Sequence, residues 1–322
     1  MFITRRGLAF ATPALIAYPA RGSIWPERPI TLVIPFAPGA FTDAVGRFTA
    51  TALAARLGQS VVAENRTGAG GTIAARLVAR APPDGYTLLL GTQGINASNA
   101  SLMRDPGYDP TRDFTPIHGL AKLTATLVTH PSRPFRRVSD VIEEARRRPG
   151  QLSFGSAGIG TVQHLLGEMF KLSAGINLTH VPYRGGAPAL ADLLAGTIDF
   201  IFDYPTPGLE MVRAGRLRAI AVAAPQRMAA FPDVPSFAEE GVTGVMAETW
   251  FALFGPRGLP EDVRRRLDVE AGAIVAGPEF RDFLIRTGAS PVALGGQDFE
   301  RFVAAETLAW RRFAEATGFR ID

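Results

Sequence analysis

Two loops carry the residues best suited to binding chemistry, and both are rich in glycine and short polar side chains. The first spans residues 35–43 and the second spans residues 155–161. Each loop is predicted to lead from a buried strand into the first turn of a helix, where backbone N–H groups lack intrahelical partners and the helix dipole is positive. Such a turn binds anions, and a carboxylate leaving water needs donors for its oxygens. The loops therefore predict a carboxylate site, although glycine-rich turns and helix caps also occur without any ligand.

Two further candidates follow predicted strands in the second half of the sequence. Tyr183 comes after a strand at residues 178–181, and Asp203 comes after a strand at residues 198–202. Open parallel sheets bind ligands beyond the carboxyl ends of their strands, so both side chains are expected at the edge of a cleft. Tyr183 either donates its hydroxyl to a ligand or has a structural role. Asp203 either accepts from a ligand amine or hydroxyl, or caps the helix after Pro205.

The sequence patterns of common enzyme sites are incomplete. The glycines at residues 68–71 lack the third glycine of a dinucleotide-binding fingerprint, because Ile73 stands in its place. Ser156 does not fit a nucleophile elbow, because Phe154 rather than glycine stands two residues before it, and the chain contains no cysteine. The four histidines are not at metal-ligand spacings, and no carboxylate pair stands out for acid–base catalysis. We therefore expect no catalytic residue, no cofactor and no metal, with an enzyme as a less favoured alternative.

Length and charge favour a two-domain protein that does not bind nucleic acid. The chain has 322 residues, 47% of them hydrophobic, which is enough for two cores. Its net charge is +4, and three positive charges, all arginines, lie within residues 1–22. The remaining charges of both signs are mixed along the chain, whereas nucleic-acid binding needs a basic patch.

Residues 1–22 resemble an export signal. Arg5 and Arg6 precede an apolar stretch at residues 8–20, as in a twin-arginine signal. The stretch is too short, and its prolines are too disruptive, for a membrane-spanning helix. We therefore expect export to the periplasm and removal of this segment; a frayed N-terminal helix is the alternative interpretation.

Strands and helices alternate twice along the rest of the chain, because continuous apolar runs predict buried strands and apolar residues at helical spacing predict helices. The first series comprises strands 30–36, 61–64 and 86–90 and helices 43–57 and 72–80. After a loop-rich stretch at residues 92–115, the second series comprises strands 126–129, 152–154, 178–181, 198–202 and 217–222 and helices 138–147, 162–172 and 188–194. A strand at residues 250–254 and helices 261–275, 279–287 and 297–317 complete the chain. The pattern predicts an α/β fold of two Rossmann-like lobes joined by two crossings, with lobe 1 at residues 26–125 plus 249–322 and lobe 2 at residues 126–248.

Several short segments together resemble one family, from about Trp25 to near the C-terminus. They are residues 25–30 (WPERPI), 35–39 (PFAPG), 64–71 (ENRTGAGG), 83–88 (PDGYTL), 113–117 (DFTPI), 180–185 (HVPYRG) and 232–235 (PDVP). In this order they resemble the Bug-type periplasmic solute receptors, the binding component of tripartite tricarboxylate transporters. The resemblance implies a periplasmic-binding-protein fold of the type II Venus-flytrap kind, no catalysis, no cofactor, and delivery of the ligand to integral-membrane permease subunits.

The resemblance also implies ligand-binding positions. Backbone amides and ordered waters from both loops typically hold one ligand carboxylate, and the matching residues are Phe36, Ala37, Gly39, Thr42, Asp43, Ser156, Gly158, Gly160 and Thr161. Thr92, Gln93 and Asp203 match positions that face the distal, variable part of the ligand. Ala40 joins this set although the family usually has glycine there, so the resemblance does not imply the path of the first loop. Tyr204 replaces a smaller polar residue, which predicts a changed distal pocket.

The residues and the resemblance together predict a monomeric periplasmic receptor that closes two lobes around a small organic acid for uptake by a tripartite transporter. A receptor that presents its closed form to a membrane signalling protein is the alternative. The identity of the acid does not follow from the sequence.

Overall fold

The computed structural model of the protein describes residues 25–228 and 231–321, so the predicted export signal at residues 1–22 lies outside the described part. The strands are β1 (Ile30–Ile34), β2 (Val61–Asn65), β3 (Thr87–Thr92), β4 (Phe114–Thr124), β5 (Thr126–Thr129), β6 (Ser153–Ser156), β7 (Thr179–Pro182), β8 (Phe200–Asp203), β9 (Arg218–Val222), β10 (Glu248–Pro256) and β11 (Ser290–Pro291). The helices are α1 (Phe41–Leu57), α2 (Thr72–Ala79), α3 (Asn99–Leu102), α4 (Val138–Arg147), α5 (Val162–Ala174), α6 (Gly186–Leu194), α7 (Pro205–Arg213), α8 (Glu261–Ala276), α9 (Pro278–Thr287) and α10 (Gly296–Thr317). Across these described ranges, no helix has both the length and the apolar character of a membrane span.

Six strands form the first sheet, in the order β11-β4-β10-β3-β1-β2. β1 pairs in parallel with β2 and β3, whereas β10 pairs antiparallel with β3 and β4. β1 is apolar except for Thr31, as expected for a strand whose two faces are covered by helices. Leu32 shares a core with Val45 of α1, and Val33 shares a core with Val78 of α2. Helices α8, α9 and α10 contribute to the same two cores. The first sheet, the helices packed on it and the loops that connect them are called the first half below.

Five strands form the second sheet, in the order β7-β6-β8-β5-β9. β6 pairs in parallel with β7 and β8, and β5 pairs antiparallel with β8 and β9. Helices again cover both faces: Phe200 shares a core with Phe170 of α5, whereas Ile201 shares a core with Leu193 of α6. The elements from β5 to β9 are called the second half.

The chain crosses between the two sheets at two places. It leaves the first sheet at the end of β4 and enters the second at the start of β5, and it returns to the first sheet at β10. β4 and β10 lie side by side over most of their length, so both crossings emerge from neighbouring strands. The observed architecture therefore confirms the prediction of two α/β sheets joined by two crossings.

The stretch at residues 92–115, predicted to be loop-rich, is partly helical. It contains a π-helical turn at Gly94–Ser98 followed by α3, and β4 then begins at Phe114 and continues for 11 residues. β4 was not predicted, because its partner β10 lies far away in sequence and the pairing itself stabilises the strand. The π-helical turn is buried throughout, so tertiary packing sets its form rather than local propensity.

Candidate ligand-binding site

A pocket of about 560 Å³, a volume that includes space open to solvent, lies between the two halves. Its walls are formed by Phe36, Ala40, Phe41, Thr42, Gly70, Thr92, Gly94, Ala157, Thr161, Val162, Gln163, Gly186, Asp203, Tyr204, Thr249 and Phe251. None of these described residues is a lysine, arginine or histidine, so any positive potential in the pocket must come from the backbone.

The N-termini of four helices meet at this pocket. α1 contributes Phe41 and Thr42, α5 contributes Val162, α6 contributes Gly186, and Tyr204 is the N-cap residue of α7. Within the described residues, the first turns of α1 and α6 have no side-chain cap, so the free N–H groups of their first two residues are available to a ligand, whereas α7 begins Pro-Thr-Pro and offers at most one such N–H group. Four positive dipole ends directed at a cavity without a side-chain cation favour an anion.

The first loop is held by a side-chain network behind the pocket. The N–H of Gly39, where φ is +96°, donates to Asp43 Oδ2 at 3.2 Å. Asn65 Nδ2 donates to Asp43 Oδ1 and to the carbonyl of Phe36, both at 2.9 Å, and Arg47 Nε donates to Asp43 at 2.9 Å. Burial opposes ionisation, but these hydrogen bonds hold the pKa of Asp43 below its ordinary value. Asp43 and Gly39 therefore shape the loop, and Phe36 reaches the pocket wall.

The second loop is closed on itself by hydrogen bonds. Ser156 Oγ accepts from the N–H of Gly158 at 3.1 Å, and Thr161 Oγ1 donates to the Gly158 carbonyl at 2.7 Å. Gln163 Oε1 accepts from the N–H of Ala157 at 2.7 Å. Its own hydrogen bonds therefore hold the loop in this shape. Ala157 and Thr161 of the loop line the pocket, together with Gln163 of α5.

A stacked pair of histidines forms hydrogen bonds to this loop. The ring centroids of His164 and His180 are 4.0 Å apart, with an angle of 14° between the ring planes. His164 Nδ1 accepts from the N–H of Gly160 at 3.3 Å, and His180 Nε2 lies 2.7 Å from Ser156 Oγ. Burial, the neighbouring imidazole and Lys171 lower the pKa of His164 to about 3, and burial and Lys171 lower the pKa of His180 to about 4. Both imidazoles are therefore neutral near pH 7.

The two halves meet backbone to backbone around the pocket. The N–H of Ala37 in the first loop donates to the carbonyl of Arg184 in the second half at 3.1 Å. At Gly70, an added Cβ would lie 1.8 Å from the carbonyl oxygen of Ile159, so only glycine allows this approach. The structure is therefore a closed form, in which the loops of one half press directly on the loops of the other.

The wall formed by β8, α7 and β10 combines an acid with an aromatic surface. Asp203 is 4% exposed, and its Oδ2 has no hydrogen-bond partner among the residues described. Burial raises the pKa of Asp203 to about 7. The hydroxyl of Tyr204 is 2.8 Å from Thr249 Oγ1, and the Tyr204 ring contacts Phe251 edge-on at 6.4 Å between centroids. This wall can therefore accept or donate one polar contact beside an apolar ligand body.

The remaining predicted positions lie at or near the pocket, with one exception. Thr92 lines it, and Gln93 is fully buried next to that residue. Ala40 is the N-cap residue of α1 with φ of −104°, an extended conformation in which alanine is as acceptable as glycine. Tyr183 is the exception: its hydroxyl donates to Asp192 at 2.6 Å, and the residue is outside the pocket wall, so the structural alternative fits it better.

A family model described as the tripartite tricarboxylate transporter family receptor matches residues 45–319. The chain belongs to this receptor family. The protein BugT of Bordetella pertussis is 33% identical over 313 residues, which are 97% of this chain and 96% of BugT. The solved structure of R. palustris Rpa4515 with adipate is 38% identical, with a TM-score of 0.86, over 92% of this chain and 99% of that one. MatC from Rhodopseudomonas palustris with bound malate is 31% identical, with a TM-score of 0.83, over 89% and 99% of the two chains.

Membership of the receptor family confirms the predictions of a Bug-type chain and a periplasmic-binding-protein fold. Members carry the description of a receptor rather than of an enzyme. The adipate and malate complexes show that similar chains hold small carboxylates.

Several residues on the pocket wall of this receptor-family chain were not singled out from the sequence. They are Phe41, Gly70, Gly94, Ala157, Val162, Gln163, Gly186, Thr249 and Phe251. Val162 and Gln163 stand one and two positions after the second predicted loop. Extending the candidate set into the first turn of the following helix would have included them. Gly70 was considered within a nucleotide motif and within the family-like segment 64–71, but not as a ligand-binding residue. Thr249 and Phe251 reach the pocket because β10 returns to the first sheet.

Proposed function

We propose that this chain is an exported, periplasmic solute-binding protein that captures a small organic acid between lobe 1 (residues 26–125 plus 249–322) and lobe 2 (residues 126–248). The observation that carries the proposal is the convergence of four helix N-termini from both halves on a pocket without a side-chain cation. Amide dipoles neutralise one carboxylate well but supply too little positive charge for a polyanion such as a nucleic acid.

The ligand carboxylate lies between the first turns of α1 and α5. Thr42 adds a hydroxyl donor beside the free amides, and its side chain belongs to the pocket wall. A hydrogen bond to a charged group contributes about 1.5–3 kcal/mol, so three or four of them offset the loss of carboxylate hydration. The body of the acid lies against Phe41 and Phe251, and a distal hydroxyl, amine or second carboxyl group meets Asp203. The adipate and malate complexes of similar chains support this ligand class.

Binding and closure are one event in this proposal. The donors for a single carboxylate come from both halves, so the ligand binds the closed form more tightly and shifts the equilibrium towards it. In this proposal the receptor works as a monomer. The closed receptor then delivers its acid to the integral-membrane permease subunits of a tripartite transporter, the system for which the family is named.

A thermal-shift panel of organic acids, followed by calorimetry, tests the proposal. We expect one or more mono- or dicarboxylates to raise the melting temperature and bind one per chain, and matched amides or alcohols to have no effect. Mass spectrometry after long incubation should return the acid chemically unaltered. Stabilisation by a nucleotide or a metal ion but by no acid, or conversion of the acid, would contradict the proposed function.

A further inference from the structure

Tyr204 occupies a fixed position at the pocket, because its backbone is restrained on both sides. Asp203, the residue before it, ends β8 and pairs with Thr126 of β5. Pro205, the residue after it, begins α7. The ring of Tyr204 is the one aromatic group that the second half adds to the described pocket wall; Phe36, Phe41 and Phe251 belong to the first half.

The hydroxyl and the ring of Tyr204 both contact the first half. The hydroxyl is 2.8 Å from Thr249 Oγ1 on β10, and Thr249 is 4% exposed, so this hydrogen bond is shielded from water. The ring packs edge-on against Phe251, whose ring lies 5.0 Å from that of Phe41 at the start of α1. Three rings therefore form a continuous apolar wall that runs from the anion-binding end of the pocket to Tyr204.

We propose that Tyr204 sets the length of the acid that the pocket accepts. This inference rests on the proposed function, because it assumes that a carboxylate lies at the first turn of α1. An acid short enough to end before Tyr204 leaves the Tyr204–Thr249 hydrogen bond intact and the two halves closed. A longer acid must displace the ring, which breaks a contact between the halves and opposes closure. The favoured ligands are therefore short carboxylates with an apolar body.

The test is a length series of acids with three forms of the protein. The unbranched dicarboxylates from malonate to suberate and the monocarboxylates from acetate to octanoate are titrated by calorimetry into the wild type, Tyr204→Ser and Tyr204→Phe. Each methylene newly buried in a widened pocket raises affinity about fourfold. For Tyr204→Ser we expect an optimum at least two methylenes longer than that of the wild type, with at least tenfold tighter binding of the longest acids. Tyr204→Phe keeps the ring but loses the hydrogen bond to Thr249, so we expect the wild-type optimum with a severalfold rise in the ratio of long-acid to short-acid affinity.

A second variant tests the same inference from the other half. Thr249→Val removes the partner of the Tyr204 hydroxyl without changing the ring, so the ring moves aside more easily and the ratio of long-acid to short-acid affinity should rise severalfold. An unchanged optimum in Tyr204→Ser together with an unchanged ratio in Thr249→Val would overturn the inference while leaving the proposed function intact. A shift in Tyr204→Phe as large as that in Tyr204→Ser would also overturn it. Failure of every acid to bind any form would instead refute the proposed function.

Discussion

The carbonyl oxygen of Gly160 in the second half lies directly against Gly94 in the first half, at 2.8 Å from where a Cβ of residue 94 would be. Gly94 does not have the positive φ that disfavours other residues, so alanine is compatible with its backbone. The contact joins the two halves, so separating the halves would break it. Gly94 is therefore a position at which closure can be altered separately from folding.

Gly94→Ala should weaken ligand binding without unfolding the receptor. The added methyl group must push the Gly160 carbonyl away, and such overpacking costs about 1–3 kcal/mol, or roughly a five- to hundredfold loss of affinity. Calorimetry with a bound acid measures the affinity, and thermal unfolding without ligand should be unchanged or slightly raised. Gly186→Ala is the matched control, because its methyl would meet Ala40 Cβ at an ordinary 3.5 Å. Equal losses in the two variants would argue against a closure effect.

Gln163→Glu tests whether the pocket is an anion site. The Oε1 atom of Gln163 accepts from the N–H of Ala157, and a glutamate retains that acceptor while it adds a negative charge to the pocket wall. We expect the affinity for a carboxylate at pH 7 to fall by at least about tenfold, equivalent to about 1.4 kcal/mol of repulsion. Gln163→Met, which is uncharged but lacks the acceptor, should reduce affinity less. The reverse ranking would show that the hydrogen bond matters more than the charge.

The stacked histidines predict a loss of stability in acid. The pKa of His164 is about 3 and that of His180 is about 4 in the folded protein, below the ordinary value of 6.5. Between these values and pH 6.5 the unfolded chain binds protons that the folded protein does not, so the free energy of unfolding falls as pH decreases from about 6.5 towards 4. The charged groups that face the pair are Glu168, Lys171 and, from the C-terminal segment, Arg320.

His180→Gln separates this titration from the other acid-sensitive groups. The glutamine side chain can still hydrogen-bond to Ser156 but cannot take up a proton. Denaturant unfolding at pH 4.5 to 7.5 should therefore show a shallower loss of stability for the variant than for the wild type. Imidazole resonances of His164 and His180 that titrate near pH 6.5 in the folded wild type would contradict the prediction.

Asp203 predicts a pH effect of opposite sign. Its pKa rises from 3.8 to about 7 on folding because the carboxyl is buried, so the folded protein favours the neutral form. Stability is then lost as pH increases from about 4 through 7, by up to about 4 kcal/mol at pH 8. Asp203→Asn should remove this loss, so it should be more stable than the wild type at pH 8 and similar at pH 4. Parallel stability curves for the two proteins from pH 4 to 8 would refute the assignment.

Much of the fold was predictable because it depends on local patterns. The apolar run that begins at Ile30 predicted a strand covered on both faces, and the structure gives β1 over Ile30–Ile34. Gly58 predicted the end of α1, and it takes the left-handed conformation that ends a helix there. β4 was not predictable in this way, because its pairing with β10 joins segments more than a hundred residues apart.

The sequence by itself determined the kind of site that we propose: two glycine-bearing turns before helices, whose backbone donors suit an anion. Only the tertiary structure decided which groups line the pocket. Ser156 and Gly158 looked like ligand contacts, but β7 brings His180 within 2.7 Å of Ser156 Oγ, and the hydroxyl supports the loop instead. The importance of Gly94 follows from the contact between the two halves. A side chain at this position would collide with the Gly160 carbonyl, and no local sequence pattern reveals that contact. Helix dipoles arise from local backbone geometry, whereas their convergence depends on how two sheets are placed in space.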